Sequence, residues 1–150
     1  MHKRMVVAAS IAAALVVTSC GSDSSGATTA AFSDQLAGVC RTIGRGIGNL
    51  DDATSIDVVR SNATDASTLY EDGVNELKKL KIPTNDKAFA ADAADLIASF
   101  EDQLDTLDAI ARAAKAKDQD AVDSNISTLS DQAAGSNDLA GSLDVDRCQL

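Results

Sequence analysis

Between Phe32 and Leu50 the apolar residues Phe32, Leu36, Val39, Cys40, Ile43, Ile47 and Leu50 recur at intervals of three and four, which places them on one face of a helix. A second run of this kind extends from about Ser55 to Leu80 through Ile56, Val59, Ala63, Ala66, Leu69, Tyr70, Val74, Leu77 and Leu80, with Asp52 or Ser55 able to cap its start. It stops at Lys81, Ile82 and Pro83, because a residue before proline is pushed out of the helical region. Thr84, Asn85 and Asp86 then offer caps for a third helix, predicted from Asp86 to about Lys117, with Phe89, Ala93, Leu96, Phe100, Leu104, Leu107, Ile110 or Ala111, and Ala114 facing inward. A fourth begins near Asp118 or Asp120 and runs to about Leu143, with Val122, Ile126, Leu129, Ala133, Ala140 and Leu143 on one side. No alternation of period two appears. Four amphipathic helices joined by short connections predict an all-α protein, an antiparallel four-helix up-down bundle.

Three glycines complicate the first helix. Gly44, Gly46 and Gly48 weaken it by roughly 0.8–1 kcal/mol each relative to alanine. Gly44 and Gly48 stand beside Ile43 and Ile47, so they are expected to let a neighbouring helix approach closely; a hinge is the competing reading. Elsewhere the composition favours helices, since alanine is abundant and Pro83 is the one proline. Aromatic residues are few: Phe32, Phe89, Phe100 and Tyr70, with no tryptophan. A stacking platform for sugars or bases is therefore hard to assemble.

Ahead of the first helix the chain reads as a targeting segment. The basic cluster His2, Lys3 and Arg4 precedes an apolar stretch over residues 5–17, the order of an export signal. That stretch falls well short of the roughly 20 residues a membrane-spanning helix needs. Val17, Thr18, Ser19 and Cys20 follow as an aliphatic residue, two small residues and a thiol, the pattern of a bacterial lipobox. The small side chains suit an extended peptidase substrate, and the thiol is the nucleophile that takes up diacylglycerol. A plain secretory signal with an incidental cysteine is the alternative. In the lipobox reading, two or three acyl chains on one residue suffice for stable anchoring. From Gly21 to Ala30 no large apolar residue occurs, and this Gly/Ser/Thr-rich stretch reads as a tether with a reach of about 15–20 Å. The expected organisation is a signal peptide over residues 1–19, a lipidated cysteine and flexible tether over 20–31, and a helical domain over 32–150.

Removing the signal makes the chain more acidic. Of 13 basic residues Lys3 and Arg4 are lost, leaving 11 against 23 acidic residues and a net charge of −12. Such a surface repels nucleic acid and anionic headgroups. With Cys20 taken by lipid, Cys40 and Cys148 remain, and outside the cytoplasm two such thiols oxidise to a disulfide. In an up-down bundle the last helix ends beside the start of the first, so a tail folding back brings Cys148 to Cys40. Closing a loop of about 100 residues contributes roughly 4–5 kcal/mol in the chain-entropy model. The competing reading is a reactive or metal-binding pair, for which no histidine or third thiol remains.

Other chemistry is constrained in the same way. The one histidine, His2, departs with the signal, which excludes serine–histidine and cysteine–histidine nucleophiles as well as the Glu-x-x-His pairs of a di-iron bundle. Gly44, Gly46 and Gly48 lie inside a helical pattern and not after a strand, so they form no phosphate loop. The third helix displays Asp92, Asp95, Glu101, Asp102, Asp105 and Asp108, several three or four apart. A solvated acidic face is the reading preferred over a weak calcium or magnesium site, because no Asp-x-Asp-x-Asp-Gly loop is present. Arg41 and Arg45 form the one compact basic feature and are expected to pair with acids on a neighbouring helix. No cofactor, metal or catalytic residue is predicted.

Taken together, the lipobox Val17, Thr18, Ser19 and Cys20, the tether, the Phe32 to Cys40 opening and the closing Leu143 to Cys148 segment resemble the small uncharacterised cell-envelope lipoproteins of actinomycetes. The resemblance implies an extracytoplasmic, lipid-anchored location at the cell membrane and a helical domain, and supplies no activity. The leading expectation is a non-enzymatic binding or accessory role, with the membrane as partner through the anchor and a protein or amphiphile as the second partner. The alternative is a carrier holding a small apolar ligand or lipid in the helical core. An enzyme acting through carboxylates alone is the third reading.

Overall fold

The computed structural model describes residues 28–145 and residue 148. The signal stretch, the lipobox residues Val17, Thr18, Ser19 and Cys20, and the tether up to residue 27 lie outside the described residues. Four α-helices follow one another: α1 (Thr29–Ile47), α2 (Ile56–Leu77), α3 (Lys87–Ala116) and α4 (Gln119–Ser142).

Each helix begins on a side chain that satisfies free backbone N–H groups of its first turn. Thr28 accepts from Ala31 N, Ser55 from Val58 N, Asp86 from Ala88 N and Phe89 N, and Asp118 from Ala121 N. A cap of this kind is worth about 1 kcal/mol. Ser55 and Asp118 therefore take the positions for which Asp52 and Asp120 were the alternatives. Thr28 also moves the start of α1 forward, so residues 29–31 are helical and the domain begins ahead of the expected boundary at 32.

The helix ends shift for equally local reasons. α1 stops at Ile47 and not at Leu50, because Asn49 and Leu50 turn back to bond Gly46 O and Ile47 O. α2 stops at Leu77 and not at Leu80, its last N–H groups tightening onto Glu76 O and Leu77 O before the buried Pro83. At the end of α3, Lys117 adopts φ 59°; its N–H bonds Ala114 O while that of Asp118 bonds Ala113 O. This pairing closes the helix, and Asp118 caps the next one at once. The same motif ends α4: Asp144 has φ 58°, its N–H bonds Gly141 O, and Val145 N bonds Ala140 O.

The helices pack as the up-down bundle that the apolar stripes predicted. α3 is the central element, lying along both α2 and α4 for most of their lengths, while α1 packs more lightly on α2. Phe32 meets Phe89 edge-on with ring centroids 5.7 Å apart, so α1 and α3 start at the same end. Ser33 Oγ donates to Leu143 O at 2.9 Å, which puts the end of α4 there too. Phe32, Leu36 and Ile43 of α1, Leu77 of α2, Leu96 and Phe100 of α3, and Leu143 after α4 are almost wholly buried.

The turn at Asp144 sends the chain back toward α1. Val145 enters the core, and Cys148 forms a disulfide with Cys40 across a Cα–Cα distance of 4.8 Å. One inward position was misplaced: Ile126 is 44% exposed. Val122, one turn earlier on α4, is buried at 1% and Leu129 is half-buried, so the departure from the inward stripe is confined to the turn at Ile126.

Close approach of α1 and α2 falls on Gly46 and Gly73. A Cβ on Gly46 would stand 2.4 Å from Leu69 Cδ1, and one on Gly73 would stand 2.5 Å from Ile43 Cδ1. Gly48 instead meets only its own helix backbone. Ile43 is buried and cannot swing aside, whereas Leu69 is half-buried and can.

Two measurements follow from this packing. Gly73→Ala should unfold at lower denaturant than Gly46→Ala, by about 1–2 kcal/mol, because overpacking at Ile43 outweighs the helix propensity gained while that at Leu69 is relieved. Reducing the Cys40–Cys148 bond, which joins residues 108 apart, should cost roughly 4–5 kcal/mol of stability, read as a lower midpoint of thermal or denaturant unfolding.

Candidate functional site

The residues named in advance do not converge on one site. Val17, Thr18, Ser19 and Cys20 lie outside the described residues. Cys40 and Cys148 are bonded to each other and buried, at 0% and 1% exposure, so they act as a latch and present no sulfur to solvent. The carboxylates of α3 spread along a helix flank, exposed or half-buried, and Glu101 pairs with Lys78 of α2. Among the described residues no group of three or more His, Cys, Asp or Glu side chains is placed to hold a metal ion. Arg41 and Arg45 also depart from expectation. Their Nε atoms donate to Ala37 O at 3.1 Å and Arg41 O at 3.2 Å along their own helix, and neither takes part in an ion pair among the described residues. A backbone carbonyl four residues back is nearer to an exposed guanidinium than any acid on α2.

Two arrangements were not anticipated. The first is a chain of polar side chains through the core. Tyr70 Oη of α2 donates to Gln103 Oε1 of α3 at 2.9 Å, and Gln103 Nε2 donates to Ser136 Oγ of α4 at 2.5 Å. Ser136 Oγ donates in turn to Gln132 O at 3.0 Å, which leaves Ser99 as the donor in the 2.6 Å contact between the two hydroxyls. Gln103 and Ser136 are 1% and 3% exposed, so each needs these partners. The chain ties α2, α3 and α4 in one register. Burial pushes the Tyr70 phenol up to about 12, holding it neutral and unsuited to proton transfer near neutral pH. A signal for this feature was present in the sequence: Gln103 is three residues after Phe100 and four before Leu107, on the buried stripe.

The second arrangement is a surface groove between α1 and α2 with a volume of about 390 Å³. Its floor is apolar, built from Val39 and Ile43 of α1 with Leu69 of α2 and Leu80 just past that helix; Gly73 lies at the base. Exposed polar groups edge it, Gln35 and Thr42 on one side and Asp72 and Glu76 on the other. Gly38 opens the α1 wall, for a Cβ there would meet nothing within 4 Å. Glu76 is engaged with Lys79 at 2.6 Å. The groove holds no nucleophile or general base with an oriented partner, and its chemistry is that of an apolar recess with a polar lip.

No protein-family model, curated protein or solved structure matches this chain.

The polar chain generates a pH prediction. The folded phenol titrates near 12 and the unfolded one at 10.0, so the stability held by neutral Tyr70 is complete below pH 10 and is lost as the pH rises from 10 toward 12. With one tyrosine and no tryptophan in the chain, phenolate absorbance reports this residue alone. Tyr70→Phe should remove that alkaline step and cost about 1–3 kcal/mol at neutral pH, because Gln103 Oε1 is left buried without its donor.

Proposed function

We propose that this protein is a lipoprotein anchored at the extracytoplasmic face of the cell membrane through Cys20, with a non-enzymatic binding or accessory role at the envelope. The observation that carries the reading is the lipobox Val17, Thr18, Ser19 and Cys20 standing eight residues ahead of the capped start of α1 at Thr28. So short a spacer leaves room for one lipidated residue and a tether, and a flexible linker of that length spans about 14–17 Å. A disulfide between Cys40 and Cys148 agrees with an oxidising compartment. No helix among the described residues is long and apolar enough to cross a membrane. In this reading the bundle is a rigid module, and the α1–α2 groove is its concave face.

A second reading, a carrier of a small apolar ligand, draws support from the apolar floor of that groove. Native mass spectrometry of protein taken from its own host separates the two, since a carrier retains a bound lipid-sized mass and a docking module does not.

The anchoring reading is tested at Cys20. Cells fed labelled palmitate should incorporate it into the wild-type protein, and Cys20→Ser should abolish both the label and recovery in the membrane fraction. An unlabelled wild-type chain that keeps its first nineteen residues would remove the reading.

A further inference from the structure

We infer that the groove between α1 and α2 seats an acyl chain carried on the protein's own Cys20. The inference rests on the anchoring reading, and it adds a destination for one of the chains when it is out of the bilayer. An acyl chain is uncharged, apolar and thin. It therefore matches a recess whose floor is Val39, Ile43, Leu69 and Leu80 and whose carboxylates stand only at the edge. Every methylene that leaves water for such a floor is stabilised.

Reach decides the source. From Cys20 to Thr28 the chain runs eight residues, rich in glycine and serine. That length has a root-mean-square span of about 14–17 Å as a flexible coil and stretches to about 26–29 Å at most. The groove begins level with Gln35 and ends level with Thr42, roughly 10 and 21 Å along α1 from Thr28 at the helical rise. The tether's natural span falls inside that window, the condition under which a tethered group reaches its highest effective concentration, in the millimolar range. A free lipid has to reach such a concentration by diffusion. The groove wall is also open at Gly38, which contributes no side chain to it. α1 bears on both ends of the arrangement, since it begins where the tether ends and supplies one wall of the recess.

The experiment uses lipidated protein from cells fed a diazirine-bearing palmitate, irradiated after exchange out of detergent and mapped by mass spectrometry. Cross-links from Cys20 are expected at Val39, Leu69 and Leu80, within single molecules when isotopically heavy and light proteins are mixed. Gly38→Leu fills the recess without a clash at Cβ and should lower those cross-links about tenfold, the ratio for a modest loss of binding free energy. Gly135→Leu, where a Cβ on α4 likewise meets nothing within 4 Å, should leave them unchanged, and circular dichroism of both variants checks that the bundle is intact. Label at Cys20 with cross-links scattered over other faces, or unaffected by Gly38→Leu, overturns the inference while the anchoring reading stands. Heavy-to-light cross-links overturn it in favour of a second copy as donor. A chain from residue 20 to 150 carrying Cys20→Ser that captures free diazirine palmitate in the groove, while the lipidated protein links elsewhere, overturns it in favour of a diffusible lipid. Absence of label at Cys20 removes the anchoring reading and this inference with it.

Discussion

Holding α1 against the other three helices is the constraint on which the α1–α2 groove depends. α3 is embraced by α2 and α4 and by the polar chain Tyr70, Gln103 and Ser136, so that part of the bundle is tied internally. α1 has less: Gly73 admits Ile43, Phe32 meets Phe89, Ser33 bonds Leu143 O, and the disulfide joins Cys40 to the returning tail. Light packing along the outer side of α1 is what leaves a groove there. The covalent bond permits that economy, since a helix held by sulfur need not bury its whole flank.

The two glycine contacts set the shape of this surface. At Gly73 the backbone of α2 gives way to Ile43, and at Gly46 the backbone of α1 gives way to Leu69. Both contacts draw the helices together at the groove's inner end. Toward Gln35 and Leu80 nothing comparable closes the gap, and Gly38 leaves the wall open. The recess is thus a consequence of where small residues stand and not of a missing core side chain. Proteins that hold apolar ligands inside a bundle need an internal void; here the centre is filled by Phe100, Leu96 and Leu36, and apolar space lies at the surface.

Acidity fits this picture as a property of the exterior. The carboxylates of α3 and α4 are exposed or half-buried at the surface, Glu101 pairing with Lys78 of α2, so this charge costs the core nothing. Under the proposed anchoring at Cys20, repulsion from headgroups and attachment through lipid act in opposite directions on one domain. The acyl seat inferred in the α1–α2 groove would then have a physical role whenever the proposed anchor is out of the bilayer.

Helix number, order and inward faces were legible because the apolar residues recur at three and four and because Ser55, Asp86 and Asp118 are good caps. The pairing of Cys40 with Cys148 was legible from topology, since alternating helices bring the last end beside the first start. Ile126, the paths of Arg41 and Arg45, the Gly46 and Gly73 notches, the Tyr70 to Ser136 chain and the groove were decided by tertiary structure. Each depends on which side chain of one helix comes level with which side chain of another. Periodicity along a chain specifies the face a residue occupies, and the relative sliding and rotation of two helices, which settle contact across the gap, are set only when all four pack at once.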